Sequence, residues 1–136
     1  MDDDLRRYMT EGVPYWRTLG LDLVAVSRDE AVFEGIYRDD LSQRGILHGG
    51  VVASIIDSVC ACAAIAHTYP DAYATTINLQ VAYTKAVSAG RIRAVGKCIR
   101  PGQRVLFCEA QVWNERGELV GSGSSQLLRI SHPPTQ

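Results

Sequence analysis

Residues 49–67 read Gly-Gly-Val-Val-Ala-Ser-Ile-Ile-Asp-Ser-Val-Cys-Ala-Cys-Ala-Ala-Ile-Ala-His. One aspartate and two serines apart, the run is apolar or small until its closing histidine, so it offers no polar face. A helix of this kind has to be buried on most sides, and the remainder of the chain must supply the wall around it. Ser54, Asp57 and Ser58 interrupt the run and no basic residues flank it, unlike a membrane span. The first residues, Met1 to Met9, are charged and lack an apolar signal core. A cytoplasmic protein without a spanning segment is expected.

The wall is legible as strands. Residues 21–27 and 31–38 flank the polar turn Ser27-Arg28-Asp29-Glu30, and a loop covers 39–47. After the helix come four β-rich segments, 75–85, 91–100, 105–114 and 119–130, separated by Ser88-Ala89-Gly90, Pro101-Gly102-Gln103 and Glu115-Arg116-Gly117. Within the first, Ile77, Leu79, Val81 and Tyr83 alternate with Asn78, Gln80, Ala82 and Thr84, which predicts one buried face. The order ββ, helix, ββββ is an α+β architecture, one helix packed on a largely antiparallel sheet. No repeat or linker divides the 136 residues, so 1–136 is expected to be a single domain. Residues 1–16 read as a helical and anchoring segment, with Asp2 to Asp4 suited to a helix start, and 131–136 as a flexible tail.

Composition narrows the function. Lysine and arginine total 14 against 15 aspartates and glutamates, a net charge of -1, which leaves no footprint for nucleic acid or an anionic membrane. Cys60, Cys62, Cys98 and Cys108 lack paired CxxC spacing and read as small buried hydrophobes. His48, His67 and His132 fit no metal-ligand spacing, so neither metal nor cofactor is expected.

Two features carry chemistry. The helix opens on His48-Gly49-Gly50, where backbone N–H groups lack intrahelical partners, no Cβ blocks approach and the dipole adds positive potential. That start suits an oxyanion; it equally suits an ordinary glycine cap. Asp57 sits in mid-helix, where a carboxylate needs compensation, either structural or catalytic. Ser54, Asp57, Ser58 and Ala61 share one small, polar stripe along which a ligand could lie. Eight residues separate Gly49 from Asp57, about 12 Å at ~1.5 Å per residue, so one reacting group cannot touch both in one subunit. If both serve one reaction, the helix start of one subunit faces Asp57 of another, as a two-fold dimer would arrange.

At these residues the chain resembles the hotdog-fold acyl-CoA thioesterases of the PaaI-like, phenylacetate-pathway group. The likeness lies in Gly45, His48, Gly49 and Gly50 followed by the acidic Asp57 eight positions after the first paired glycine. It extends to Leu19-Gly20, Thr76, Tyr83, the Pro101-Gly102-Gln103-Arg104 turn and Glu115-Arg116-Gly117. The resemblance implies a six-stranded sheet wrapped round the helix, homodimers commonly paired into tetramers, and hydrolysis of an acyl-CoA, an arylacyl-CoA included, to free acid and CoA. It implies that the Gly49 N–H polarises the thioester carbonyl and that Asp57 of the partner subunit serves as general base or as nucleophile. His48 would orient the carbonyl and Thr76 would hold the attacking water. Relatives often carry Asn where Ser42 stands, so Gln43 beside it, or Ser42 itself, is the expected amide substitute. No metal or separate cofactor is implied, coenzyme A being part of the substrate.

Gly50, Ser54, Ser58 and Ala61 are the remaining substrate-binding candidates, with Arg100 and Arg104 offered to the coenzyme A phosphates. Gly121-Ser122-Gly123-Ser124-Ser125 lies inside a strand and reads as close packing or a bulge rather than a phosphate loop. Two rival readings are a non-catalytic acyl-CoA-binding hotdog protein and a hotdog dehydratase or hydratase. An enoyl-CoA assay separates the latter.

Overall fold

The computed structural model describes residues 3–132. Helix α1 (Asp3–Gly12) buries Leu5 and Met9, and the short α2 (Tyr15–Leu19) buries Trp16 and Leu19. Strands β1 (Asp22–Val26) and β2 (Ala31–Ile36) follow, turned by Ser27, whose hydroxyl accepts from the N–H groups of Asp29 and Glu30. The expected loop at 39–47 is more structured than its composition suggests. It holds a 3-10 turn (Asp39–Leu41) and a two-residue hairpin of β3 (Ser42–Gln43) and β4 (Ile46–Leu47). Arg44 and Gly45 both have positive φ, 55° and 81°, the pairing a tight primed hairpin turn requires.

Helix α3 (Gly49–Thr68) buries 11 of its 20 residues, as its all-round apolar sequence demands. By length and composition alone it could cross a membrane, but here it is the core helix, lying on the sheet. Strands β5 (Ala72–Tyr83), β6 (Arg91–Pro101), β7 (Val105–Asn114) and β8 (Leu119–Ser131) complete a six-stranded antiparallel sheet of order β1-β2-β6-β7-β8-β5. This is the hotdog arrangement. The helix lies so close to the sheet that two strand positions exclude a side chain. A Cβ on Gly96 would meet the Val59 carbonyl oxygen at 2.7 Å, and one on Gly123 would meet Ile56 of the helix at 2.8 Å as well as the Gln80 carbonyl oxygen of β5 at 2.6 Å. Close packing is therefore the role of the glycine-rich segment in β8.

Strand β5 departs from the alternation expected of it. Ile77 is 56% exposed and Tyr83 55% exposed, while Leu79 and Val81 are only half-buried against the core. Two causes act together. A bulge between Thr76 and Asn78 shifts the register against β8, and β5 is an edge strand with no neighbour beyond it among the described residues. At the chain ends, Ser131 still pairs with Ala72 and His132 packs its ring on Tyr8 and Tyr73, so the sheet reaches further than expected. The remainder of the expected tail, 133–136, lies outside the described residues, as do Met1 and Asp2.

Candidate active site

The start of α3 is built by a short run of hydrogen bonds. Leu47 N–H donates to the Val87 carbonyl at 2.7 Å and His48 N–H to the Leu41 carbonyl at 2.9 Å, which pins the chain as it enters the helix. His48 then caps the helix through its ring, Nδ1 accepting the Gly50 N–H at 2.8 Å. An accepting Nδ1 leaves the proton of the neutral imidazole on Nε2. The Val51 N–H donates to the His48 carbonyl at 2.9 Å. Of the first donors, only the Gly49 N–H lacks a partner among the described residues. Gly50, a substrate-binding candidate, has its backbone N–H taken by His48. Gly49 is further framed by Tyr83 of β5, whose hydroxyl donates to the Gly49 carbonyl at 2.7 Å.

Eight residues along α3, the half-buried Asp57 accepts a hydrogen bond from Thr76 Oγ1 at 2.6 Å on Oδ1. Its Oδ2 has no partner among the described residues. Thr76 stands at the β5 bulge, so its proton is committed to the carboxylate, while its oxygen can still accept from a water. Compensation for the mid-helix charge therefore comes from one hydroxyl, and one carboxylate oxygen remains open for chemistry. Both features of α3 abut the same edge strand, Gly49 through Tyr83 and Asp57 through Thr76.

The stripe of small residues is not an empty trough. Tyr15 and Trp16 of α2 lie across it: the Tyr15 hydroxyl bonds Ser54 Oγ at 2.9 Å, and Trp16 Nε1–H donates to Ser58 Oγ at 2.9 Å. Each serine passes its own proton to the carbonyl four residues back, Ser54 to Gly50 and Ser58 to Ser54. Ser58 is 8% exposed and its hydroxyl is used on both sides, so the structure removes it from the residues able to meet a ligand in this chain. Trp16 is buried and set edge-on against Phe33, with ring centroids 4.8 Å apart. Tyr15 remains half-exposed over Ser54, and Ala61 half-buried further along.

Between the two amide substitutes, Ser42 donates its hydroxyl to the Asp39 carbonyl at 2.7 Å, whereas the exposed Gln43 side chain has no partner among the described residues. Arg100 and Arg104 flank the β6–β7 turn, both exposed. Through the register Thr76–Leu127–Leu106–Pro101, that turn lies three strand steps from Thr76, about 14 Å at ~4.8 Å per step. Only a long ligand reaches both. Among the described residues, no group of three or more His, Cys, Asp or Glu side chains could hold a metal ion. Sequence reasoning passed over two contacts, those of Tyr83 with Gly49 and Tyr15 with Ser54. The residues of these pairs stand 34 and 39 apart, and no local pattern marks either.

Residues 44–121, more than half of the chain and including the whole of α3, match the thioesterase superfamily. The chain belongs to the thioesterase superfamily. Its superfamily relatives include a provisionally named esterase of Saccharolobus solfataricus, 29% identical over 118 residues that cover 84% of this chain and 83% of that one. Among solved structures, a conserved protein of Pseudomonas aeruginosa is 27% identical, with a TM-score of 0.82 over 86% of this chain and 94% of its own. A thioesterase of Haemophilus influenzae is 16% identical and shares the fold, with a TM-score of 0.85 over 93% of this chain and 91% of its own. Superfamily membership and the esterase names of relatives support thioester hydrolysis as the general class of activity.

Proposed function

We propose that this chain hydrolyses an acyl-CoA thioester, an arylacyl-CoA among the substrates, in a site shared by two subunits, as in the PaaI-like group. The observation that carries this reading is Asp57, fixed through Oδ1 by Thr76 and open at Oδ2, in a thioesterase-superfamily chain. The unpartnered Gly49 N–H at the helix start is the oxyanion donor, strengthened by the helix dipole. As the carbonyl becomes tetrahedral, its oxygen gains charge against that donor. Asp57 takes a proton from the attacking water, or attacks the carbonyl itself to form a mixed anhydride that water then cleaves. Either way the C–S bond breaks and the thiolate of CoA leaves, without metal or separate cofactor.

The two groups are about 12 Å apart along one helix at ~1.5 Å per residue. Edge strand β5 has one open side, along which Ile77 and Tyr83 are exposed. Antiparallel pairing of β5 with its copy about a two-fold brings the Gly49 end of one helix toward Asp57 of the other. A homodimer is the minimal active unit in this reading, and a dimer of dimers its expected assembly. Arg100 and Arg104 meet the phosphates of coenzyme A, Gln43 contacts the thioester end, and the protein works in the cytoplasm on a small molecule, with neither nucleic acid nor membrane as partner.

The test is complementation. Asp57→Ala and Gly49→Pro are each expected to stop CoA release from an acyl-CoA panel. Mixed and reassociated, they are expected to regain about a quarter of wild-type activity, since half the dimers are hybrid and each hybrid has one intact site of two. Binding of acyl-CoA without CoA release by the wild-type protein would overturn hydrolysis, and no recovery on mixing would overturn the shared site.

A further inference from the structure

Cys98 of β6 and Cys108 of β7 stand directly opposite each other in the sheet ladder. Opposed residues of antiparallel strands have Cα atoms about 4.5–5.5 Å apart, inside the ~4.4–6.8 Å range that a disulfide accepts. The two thiols bear on each other's ionisation, that of Cys108 lowering the Cys98 thiol and that of Cys98 raising the Cys108 thiol. The ladder then breaks. The register steps from the Cys98–Cys108 pair to Arg100–Phe107, which leaves Ile99 as the extra residue of a bulge. The backbone N–H of Arg100, just past the bulge, is a second group that favours the Cys98 thiolate.

Two neighbours of one sulfur favour its thiolate. The Cys108 thiol, and after it the Arg100 N–H, hold the Cys98 thiol below its ordinary range despite partial burial. The other three thiols move the opposite way. Cys108 is pushed up by its bond to Cys98 and by burial, Cys60 is pushed up to about 12 chiefly by burial, and the fully enclosed Cys62 is pushed well up. All four are free, and Cys98 alone is half-exposed while the other three are buried. A thiolate-prone, reachable cysteine beside a second thiol is the arrangement that reversible oxidation requires.

We propose that Cys98 and Cys108 form a reversible oxidation site for hydroperoxides, with Cys98 the attacking thiol and Cys108 the resolving one. Cys98 sulfur attacks the peroxide, the O–O bond breaks, and Cys98 sulfenic acid and one water (or alcohol) result. The Cys108 sulfur then displaces hydroxide from that sulfenic acid, which forms the S–S bond and releases water. Two thiols are oxidised by two electrons, and the peroxide accepts both. A thiol reductant reverses the step. The site uses neither Asp57 nor Gly49, so its failure leaves the hydrolase reading untouched.

The experiment is intact-mass and peptide mapping of the full chain treated with stoichiometric hydrogen peroxide at neutral pH. A loss of about 2 Da, two hydrogens per disulfide, a Cys98–Cys108 cross-linked peptide and reversal by dithiothreitol are expected. In Cys108→Ser, dimedone is expected to trap a sulfenic acid at Cys98, and Cys98→Ser is expected to consume no peroxide at this pair. Oxidation first at Cys60 or Cys62, a disulfide between two chains, or full retention of both thiols under peroxide would each overturn the proposal. The wild-type mapping decides the matter if a serine variant fails to fold.

Discussion

Thr76 donates its hydroxyl proton to Oδ1 of Asp57 across 2.6 Å, tying the one charge in the core helix to the bulge of the edge strand. A carboxylate so held has a fixed direction, and its second oxygen has no partner among the described residues.

Asp57→Ala is expected to lower kcat for thioester cleavage by about 10²–10⁴-fold, the usual worth of a positioned base. Thr76→Ala removes the hydroxyl that holds Asp57, together with a methyl group, and is expected to cost roughly tenfold to a hundredfold in kcat. Thr76→Ser keeps the donor and is expected to recover most of the loss. Steady-state kinetics with a thiol-detecting reagent separate these outcomes. A Thr76→Ser as slow as Thr76→Ala would show that the methyl group, not the hydroxyl, is what matters.

Gly49→Pro tests the proposed oxyanion donor. Proline is well tolerated at the first position of a helix, and His48 before it already has φ -59° and ψ 138°, the extended backbone that a residue preceding proline prefers. A Cβ at 49 meets the Tyr83 ring at an ordinary 3.4 Å. The substitution removes an N–H that no described residue uses, so thermal stability is expected to hold while kcat falls about 10²–10³-fold. Unchanged turnover in a folded Gly49→Pro would remove this donor from the mechanism.

If the chain binds acyl-CoA as proposed, Tyr15 is placed to limit how far the acyl group extends over the helix. Its half-exposed ring is tethered to Ser54, between the helix start and Asp57, while its neighbour Trp16 is buried and carries the packing. Tyr15→Ala is expected to raise kcat/KM for long-chain over short-chain or aryl substrates by about tenfold, as opening an apolar wall does. Tyr15→Phe keeps the wall and is expected to leave that ratio alone. A chain-length profile identical in Tyr15→Ala and wild type would exclude this position from acyl selection.

Ser125 is fully enclosed, and its hydroxyl has no partner among the described residues. Removing an unpaired buried hydroxyl relieves a desolvation cost, so Ser125→Ala is expected to stabilise the fold by about 1 kcal/mol and raise Tm by about 4 °C. A lower Tm would mean that a bound water satisfies the hydroxyl.

How far these features were legible in the sequence depends on how local their cause is. The core helix and the four long strands announce themselves because all-round apolarity and turn chemistry are properties of neighbouring residues. The shared placement of Gly49 and Asp57 follows from helix geometry alone. The side of β5 that stays uncovered was not legible, because one bulged residue, Ile77, resets the alternation and the strand lies at the sheet edge. Ser54 and Ser58 looked free on the helix, and only the return of Tyr15 and Trp16 from about forty residues away shows that they are engaged. His48 stands out in the sequence as a candidate; that it spends Nδ1 on capping Gly50 depends on a ring orientation that no spacing reports.

The glycines beneath α3 set a machining tolerance. The helix rides on Gly96 and Gly123 with no room for a methyl group, so a single added carbon at either place must lift it from the sheet. Asp57 is on that helix and Thr76 is on the sheet, so the height that keeps the core tight also sets the gap between them. Alanine at either position is then expected to lower stability and, on the proposed reading, turnover together, and trimming Val59 would not restore the fit at Gly96, because the obstacle there is its backbone carbonyl.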